Sequence, residues 1–170
     1  LSVSVAFFAL FGFIFLITQY FQFVKGYSTL SAGVHTLPFA ITAGICTPIA
    51  AVLALKIGSR IVVAVGLLLM AGGLLVSAFN SEANSSYFGP LIVSMVLLAL
   101  GLSAITAPTA EAVMGSVPDD QRGAAAGVNN TTRELGGTLG VAIFGSIFAS
   151  SYAPKIISAF RSLPIPAGPK

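Results

Sequence analysis

"DDQRGAAAGVNNTTRELGGTLGVAIFGS", residues 119–146, passes from three charges through small residues to a basic–acidic pair, then into an apolar stretch with a glycine every few positions. After Glu134 no charged residue occurs until Lys155. A helix needs roughly 20 apolar residues to span the ~30 Å hydrocarbon core of a bilayer, and the run 135–154 meets that length. Four further uncharged runs precede it, at 1–24, 26–55, 61–81 and 83–110. Only 8% of the 170 residues are charged and 56% are hydrophobic, whereas a soluble domain carries about 25% charged residues. Mean hydropathy is +0.97. These runs exclude a soluble globular domain and predict an all-α membrane protein with five transmembrane helices.

The predicted spans are about 3–24, 34–55, 61–79, 88–114 and 133–152, a partial bundle over 1–152 followed by an extramembrane tail at 153–170. "KGYSTLSAG" (25–33) and "KIGSR" (56–60) turn the chain, and "NSEANSS" (80–86) is a polar loop. Pro38, Gly44 and Pro48 predict kinks in the second span, whose freed carbonyls neighbouring helices must satisfy. Pro108 lies in the fourth span, and the late prolines of the tail rule out a further span there. The chain is apolar from Leu1, with no basic region before it and no small-residue cleavage site after it. It therefore reads as a piece of a longer polypeptide rather than as a signal peptide.

Eight basic residues against five acidic ones give a net charge of +3, and the basic residues lie in or near the breaks between apolar runs. That is the pattern of membrane-flanking cations and not of a nucleic-acid patch. Lys56, Arg60, Arg122 and Arg133 fall on one side of the membrane, and Lys25, Lys155, Arg161 and Lys170 on the other. The count is tied. The tail cations lie where the positive-inside rule weakens, which favours a cytoplasmic "KIGSR". The triplets beginning at Asn84 and Asn130 have glycosylation spacing but sit on opposite faces, and the plain reading is that neither is modified. Cys46 stands alone in an apolar run, which leaves no disulfide framework and no metal spacing.

Two readings are open for the start of the fifth span. Thr131-Thr132-Arg133-Glu134 fits a capping box, with a Thr hydroxyl accepting a backbone N–H and Glu134 reaching back. Alternatively, one long helix runs from Asp119 with its first turns outside the bilayer. Within the span, Gly136 and Gly140 form a small-xxx-small pair, with Gly145 a little further on, and a partner helix can approach closely there. Asp119, Asp120, Arg122, Arg133 and Glu134 gather at the ends of the last two spans, and Glu111 lies on the last turn of the fourth. A membrane carboxylate is costly unless paired or functional. Its place near the interface favours a structural ion pair with Arg122 or Arg133 over a direct role with protons or substrate.

Four blocks, "QYFQFVKGYSTLSAGVHTLPFAI" (19–41), "LALKIGSR" (53–60), "LALGLSAITAPTAEAVMGSVP" (98–118) and "RGAAAGVNNTTRELGGTLGVAIFGSI" (122–147), resemble the second half of a major facilitator superfamily transporter. They are most similar to the fourteen-span drug:proton antiporters of the EmrB/QacA type. The resemblance covers residues 1 to about 152. It implies that the five spans are the seventh to eleventh helices of a twelve-helix core, an incomplete C-terminal bundle. It also implies that "KIGSR" is the second copy of the cytoplasmic loop motif, keeping Gly58 and Arg60 but lacking its usual acidic residue. The family's clearest coupling acid and its antiporter motif belong to the first half and have no counterpart here.

Substrate in such transporters sits near the midplane between the halves, at broken helices. The candidate cavity residues are then Gln19 and Gln22 on the first span, Thr42 and Thr47 on the second, and Ser103 and Thr106 on the fourth. Helix–helix hydrogen bonding competes as a reading for each. The candidate loop and gating residues are Gly58, Arg60, Glu111, Arg122, Arg133 and Glu134. Phe7, Phe8, Phe11, Phe13 and Phe15 wrap round the first span, so some face lipid while others could line an aromatic wall. His35, the sole histidine, lies at the start of a span, which favours an interfacial anchor.

No catalytic residues, metal site or cofactor motif emerge: "GVAIFGS" has Walker-like glycine spacing but no Lys, and GxGxxG, HExxH and GxSxG are missing. The resulting expectation is a fragment of a secondary active transporter, expelling small organic molecules in exchange for protons. Its partners would be the lipid bilayer, the missing N-terminal half, substrate and protons, with no nucleic acid, in the cell membrane and specifically a bacterial inner membrane. The alternatives are an importer of a nutrient or organic acid, a non-transporting membrane subunit or remnant, and, third, a membrane enzyme.

Overall fold

A computed structural model describes residues 1–79 and 87–162. Every regular element among them is helical. α1 (Ser2–Gln19) continues through a π-helical turn at Tyr20–Val24; α2 (Thr29–His35) leads into α3 (Leu37–Ile57); α4 spans Ser59–Phe79. A kink at Gly89 (φ −121°, ψ −108°) within Tyr87–Leu91 precedes α5 (Ile92–Gly115), and a 3₁₀ turn at Asp119–Gln121 opens α6 (Arg122–Ser162). Five of these segments are long and apolar enough to cross a membrane: Ser2–Val24, Thr29–Ile57, Ser59–Phe79, Gly89–Gly115 and Asp119–Tyr152.

Local chemistry sets the breaks between them. Ser28 is extended and its hydroxyl accepts the Ser31 N–H at 3.3 Å, so helix begins at Thr29, inside the stretch read from sequence as a turn. Gly58 closes α3 with φ +93°, a backbone state that side-chain-bearing residues resist, and α4 starts one residue later. The polar loop 80–86 and tail residues 163–170 lie outside the described residues.

α6 corrects the capping-box reading. Thr131 and Thr132 lie inside the helix, where their hydroxyls donate to the carbonyls of Gly127 at 2.9 Å and Val128 at 2.7 Å. The long-helix alternative describes the chain, and α6 runs without a break past Tyr152 to Ser162.

Short connections make α3, α4 and α5 alternate in direction, so α3 and α5 run parallel. α1 and α6 also run parallel: Gly136 meets the Ser4 backbone and Gly140 the Phe8 backbone. A Cβ at either glycine would overlap a carbonyl oxygen, so the absence of a side chain lets the two helices touch main chain to main chain. Gly145 differs, since its nearest neighbour is the Phe15 ring at 3.7 Å, an ordinary contact. The antiparallel α4–α5 pair closes in the same manner, a Cβ on Gly66 falling 2.8 Å from the Gly101 oxygen.

The core forms where these pairs meet. Leu10, Phe13, Ile17 and Phe21 pack with Met70, Leu91, Met95, Leu98 and Ile105. Outside it, large apolar side chains stand exposed all round, among them Leu55 at 78% and Leu68 at 73%. This surface suits hydrocarbon or further helices rather than water.

Candidate functional site

The sequence candidates do not converge on one cavity. Thr47 and Ser103 do come together across the α3–α5 seam, their hydroxyl oxygens 3.2 Å apart. Thr47 Oγ1 also donates to the Ala43 carbonyl of its own helix at 2.6 Å, and Ser103 Oγ donates to the same carbonyl at 3.3 Å. Ser103 is fully buried. Thr42 bonds back to the Pro38 carbonyl at 2.7 Å, and Thr106 is half-buried one turn beyond Ser103. Gln19 and Gln22 sit near the Gly26 end of α1, far along the bundle from Thr47. Membrane hydrogen bonds of the Thr47–Ser103 kind contribute only about 0.6 kcal/mol on average, so the seam holds α3 to α5 without locking it.

Pro48 follows Thr47 directly inside the continuous helix α3. It has no N–H to offer the Gly44 carbonyl, and its ring crowds that carbonyl. Pro108 is buried within α5, where Thr109 bonds back to Ile105. Both helices of the seam therefore carry a proline with a back-bonding threonine beside it.

At the Gly58 end, Arg60 and Ser59 border a cleft of about 330 Å³ that Ser2, Pro108 and Thr109 also line. Glu111 is exposed and makes no ion pair. The pairing with Arg122 or Arg133 inferred from sequence is therefore corrected. Among the described residues the only ion pair joins Arg122 to Asp119 at 2.8 Å. The loop geometry explains this: the two are three residues apart on one exposed turn, whereas Glu111 lies on a different helix. Glu134 is exposed, and its carbonyl accepts the Thr138 hydroxyl at 2.8 Å.

Arg133 instead lies against α1. Its guanidinium carbon is 5.3 Å from the centre of the Phe7 ring, and its Nε is buried with no hydrogen-bond partner. A cation over an aromatic face recovers part of the lost hydration. Asn129, one turn earlier on the same face of α6, is buried as well, a feature the sequence reading missed. The i, i+4 spacing of Asn129, Arg133 and Gly137 was the available signal, since it extends the glycine stripe that faces α1.

The phenylalanines of α1 mostly serve this same contact. Phe8 packs on Phe144 with ring centres 5.6 Å apart and Phe15 on Phe148 at 6.1 Å, while Phe13 is buried in the core. At the Gly26 end, the His35 Nδ1–H donates to the Ser31 carbonyl at 2.7 Å, and the ring lies 4.5 Å from Tyr27 and 5.9 Å from Phe21. An apolar cleft of about 420 Å³ opens nearby between α1 and α4, lined in part by Phe13, Ile17, Tyr20 and Leu74. Among the described residues no three His, Cys, Asp or Glu side chains gather as a metal site.

Comparison with known proteins agrees with this architecture. The Major Facilitator Superfamily profile matches residues 1–163. The multidrug resistance protein Stp of Mycobacterium tuberculosis is 31% identical over 149 residues, covering 88% of this chain and 27% of its own length. The methyl viologen resistance protein SmvA of Salmonella typhimurium is 32% identical, over 85% of this chain and 29% of its own. The multidrug efflux pump LfrA of Mycolicibacterium smegmatis is 33% identical, over 86% and 29%. The chain thus spans less than a third of the length of these curated relatives. No solved structure matches it. Five apolar helices and bacterial relatives assign the chain to a bacterial plasma membrane as a multi-pass segment. With the family profile covering nearly all of its helices, the chain belongs to the Major Facilitator Superfamily.

Proposed function

We propose that this chain is part of a secondary active exporter that moves small amphipathic or cationic organic molecules out of the cell in exchange for protons. The observation that carries the reading is the likeness, at 31–33% identity, to three proteins named for multidrug resistance, methyl viologen resistance and multidrug efflux. Transport then proceeds by rocking of this bundle against the remaining helices of the protein about a site near the midplane. Thr42, Thr47, Ser103 and Thr106 border that path on α3 and α5, and Gln19 and Gln22 stand towards its outer mouth. Gly58, Arg60, Glu111, Arg122, Arg133 and Glu134 belong to the cytoplasmic gate. Gly136 and Gly140 hold α1 on α6 while the bundle moves, and Gly145 beyond them only touches the Phe15 ring. Proton coupling resides in helices outside this chain.

The test is accumulation of a fluorescent lipophilic cation by cells that lack their own exporters and express the intact protein. Lower accumulation, restored to the control level by a protonophore, supports the reading. Equal accumulation with and without the protein, at verified expression, counts against it. In the same assay, export kept by Glu111→Gln leaves coupling outside this chain, and export lost by a well-folded Glu111→Gln moves it onto α5.

A further inference from the structure

At Thr47 the α3–α5 seam brings together three oxygens and only two hydroxyl protons. Thr47 Oγ1 lies 2.6 Å from the Ala43 carbonyl oxygen and 3.2 Å from Ser103 Oγ, and Ser103 Oγ lies 3.3 Å from that same carbonyl. A hydroxyl has a single proton to donate. Thr47 can therefore bond within α3 or across to α5, but not both at once. In one arrangement Thr47 donates to Ala43, and Ser103 donates to the Thr47 oxygen or shares the carbonyl. In the other, Thr47 donates to Ser103, which passes its own proton to Ala43, so that α3 is tied to α5 by both bonds. Buried Ser103 keeps a partner either way, and neither arrangement strands a polar group.

The exchange falls beside the one proline in the interior of α3. Pro48 removes the helical donor of the Gly44 carbonyl, one residue from the carbonyl at which the hydroxyls compete. Back-bonding of a threonine to the carbonyl four residues earlier bends a helix, and diverting that proton to α5 removes the cause. Gly44 is exposed, and none of this chain's atoms lies within 4 Å of the place a Cβ would take.

We propose that Thr47 and Ser103 form a two-position hydrogen-bond switch that sets the bend of α3 at Pro48 relative to α5. This stands independently of what the protein transports. The two deletions act in opposite senses. Ser103→Ala leaves only the bond within α3. Thr47→Val leaves only the Ser103 bond across to the Ala43 carbonyl.

The experiment is a pair of spin labels at Leu55 on α3 and Ala112 on α5, in the intact protein with Cys46→Ala, reconstituted in lipid nanodiscs. Both label sites are exposed. The expected result is two distance populations, of which Ser103→Ala keeps one and Thr47→Val keeps the other, with Thr47→Ser restoring both. Distributions that neither variant moves, or that both move in the same sense, overturn the proposal and leave the seam a plain helix–helix contact. If Thr47→Val does not fold, Thr47→Ala removes the same donor and is read against Ser103→Ala in the same way. Because the readout is a distance, it is separate from the outcome of the export assay.

Discussion

Gly136 carries no side chain at the point where α6 touches the Ser4 carbonyl of α1, and Gly140 repeats this against Phe8. Alanine at either position drives Cβ into a backbone oxygen that no rotamer can move aside, and overpacking of this kind costs about 1–3 kcal/mol. Gly145→Ala meets only the Phe15 ring at van der Waals distance and serves as the near-neutral control. Thermal unfolding of the intact protein in detergent should rank Gly136→Ala and Gly140→Ala well below Gly145→Ala. Gly58→Ala should lose about 1–3 kcal/mol by the same measurement, for a different reason: its φ of +93° is strained for any residue with a Cβ. Glycine spacing in the sequence was enough to pick out Gly136 and Gly140 as a close-packing pair. It could not say which helix they face, because a stripe of small residues carries no address. Arg133 was harder to read, since its contact is an aromatic face on α1, over a hundred residues away in sequence, and not a carboxylate near it in the chain.

The helices themselves were legible because hydrocarbon thickness imposes a length on each uncharged run, and the one alternative that satisfies its backbone in lipid, a closed β-barrel, is built from short alternating strands rather than long apolar runs. Their ends were less so. Ser28 starts helix five residues before the predicted second span, inside a segment whose Ser and Gly content reads as a turn. The π-helical turn at Tyr20–Val24 and the kink at Gly89 leave no mark in a hydropathy pattern. In α6 a local signal was overridden: Thr131 and Glu134 have capping-box spacing, but the helix is already running and both threonine hydroxyls turn back to carbonyls one turn earlier. This distinction can be measured with Thr132→Pro. Were Thr131 a cap, position 132 would be the first helical residue, where proline is favoured. Inside a continuous helix the same change breaks a backbone bond and costs about 3 kcal/mol or more. The structure predicts the larger loss.

Taken together, α1, α4 and α5 build the core, α6 closes on α1 and α3 on α5, and apolar side chains face outward on nearly every side. Such a surface excludes life in water, and composition alone made that plain. Orientation was not plain, because the basic residues divide evenly between the two faces. The favoured orientation predicts that a cysteine replacing Ser59, in a Cys46→Ala background, resists a membrane-impermeant maleimide in intact cells and reacts in inside-out vesicles. Reaction in intact cells would invert the bundle. Export driven by a proton gradient is tested most directly by the purified intact protein in sealed proteoliposomes, with movement of a fluorescent lipophilic cation followed under an imposed pH gradient. Antiport gives movement against the direction of proton flow, which stops when an ionophore collapses the gradient. Movement that ignores the gradient, or none beyond that of protein-free liposomes, would contradict it.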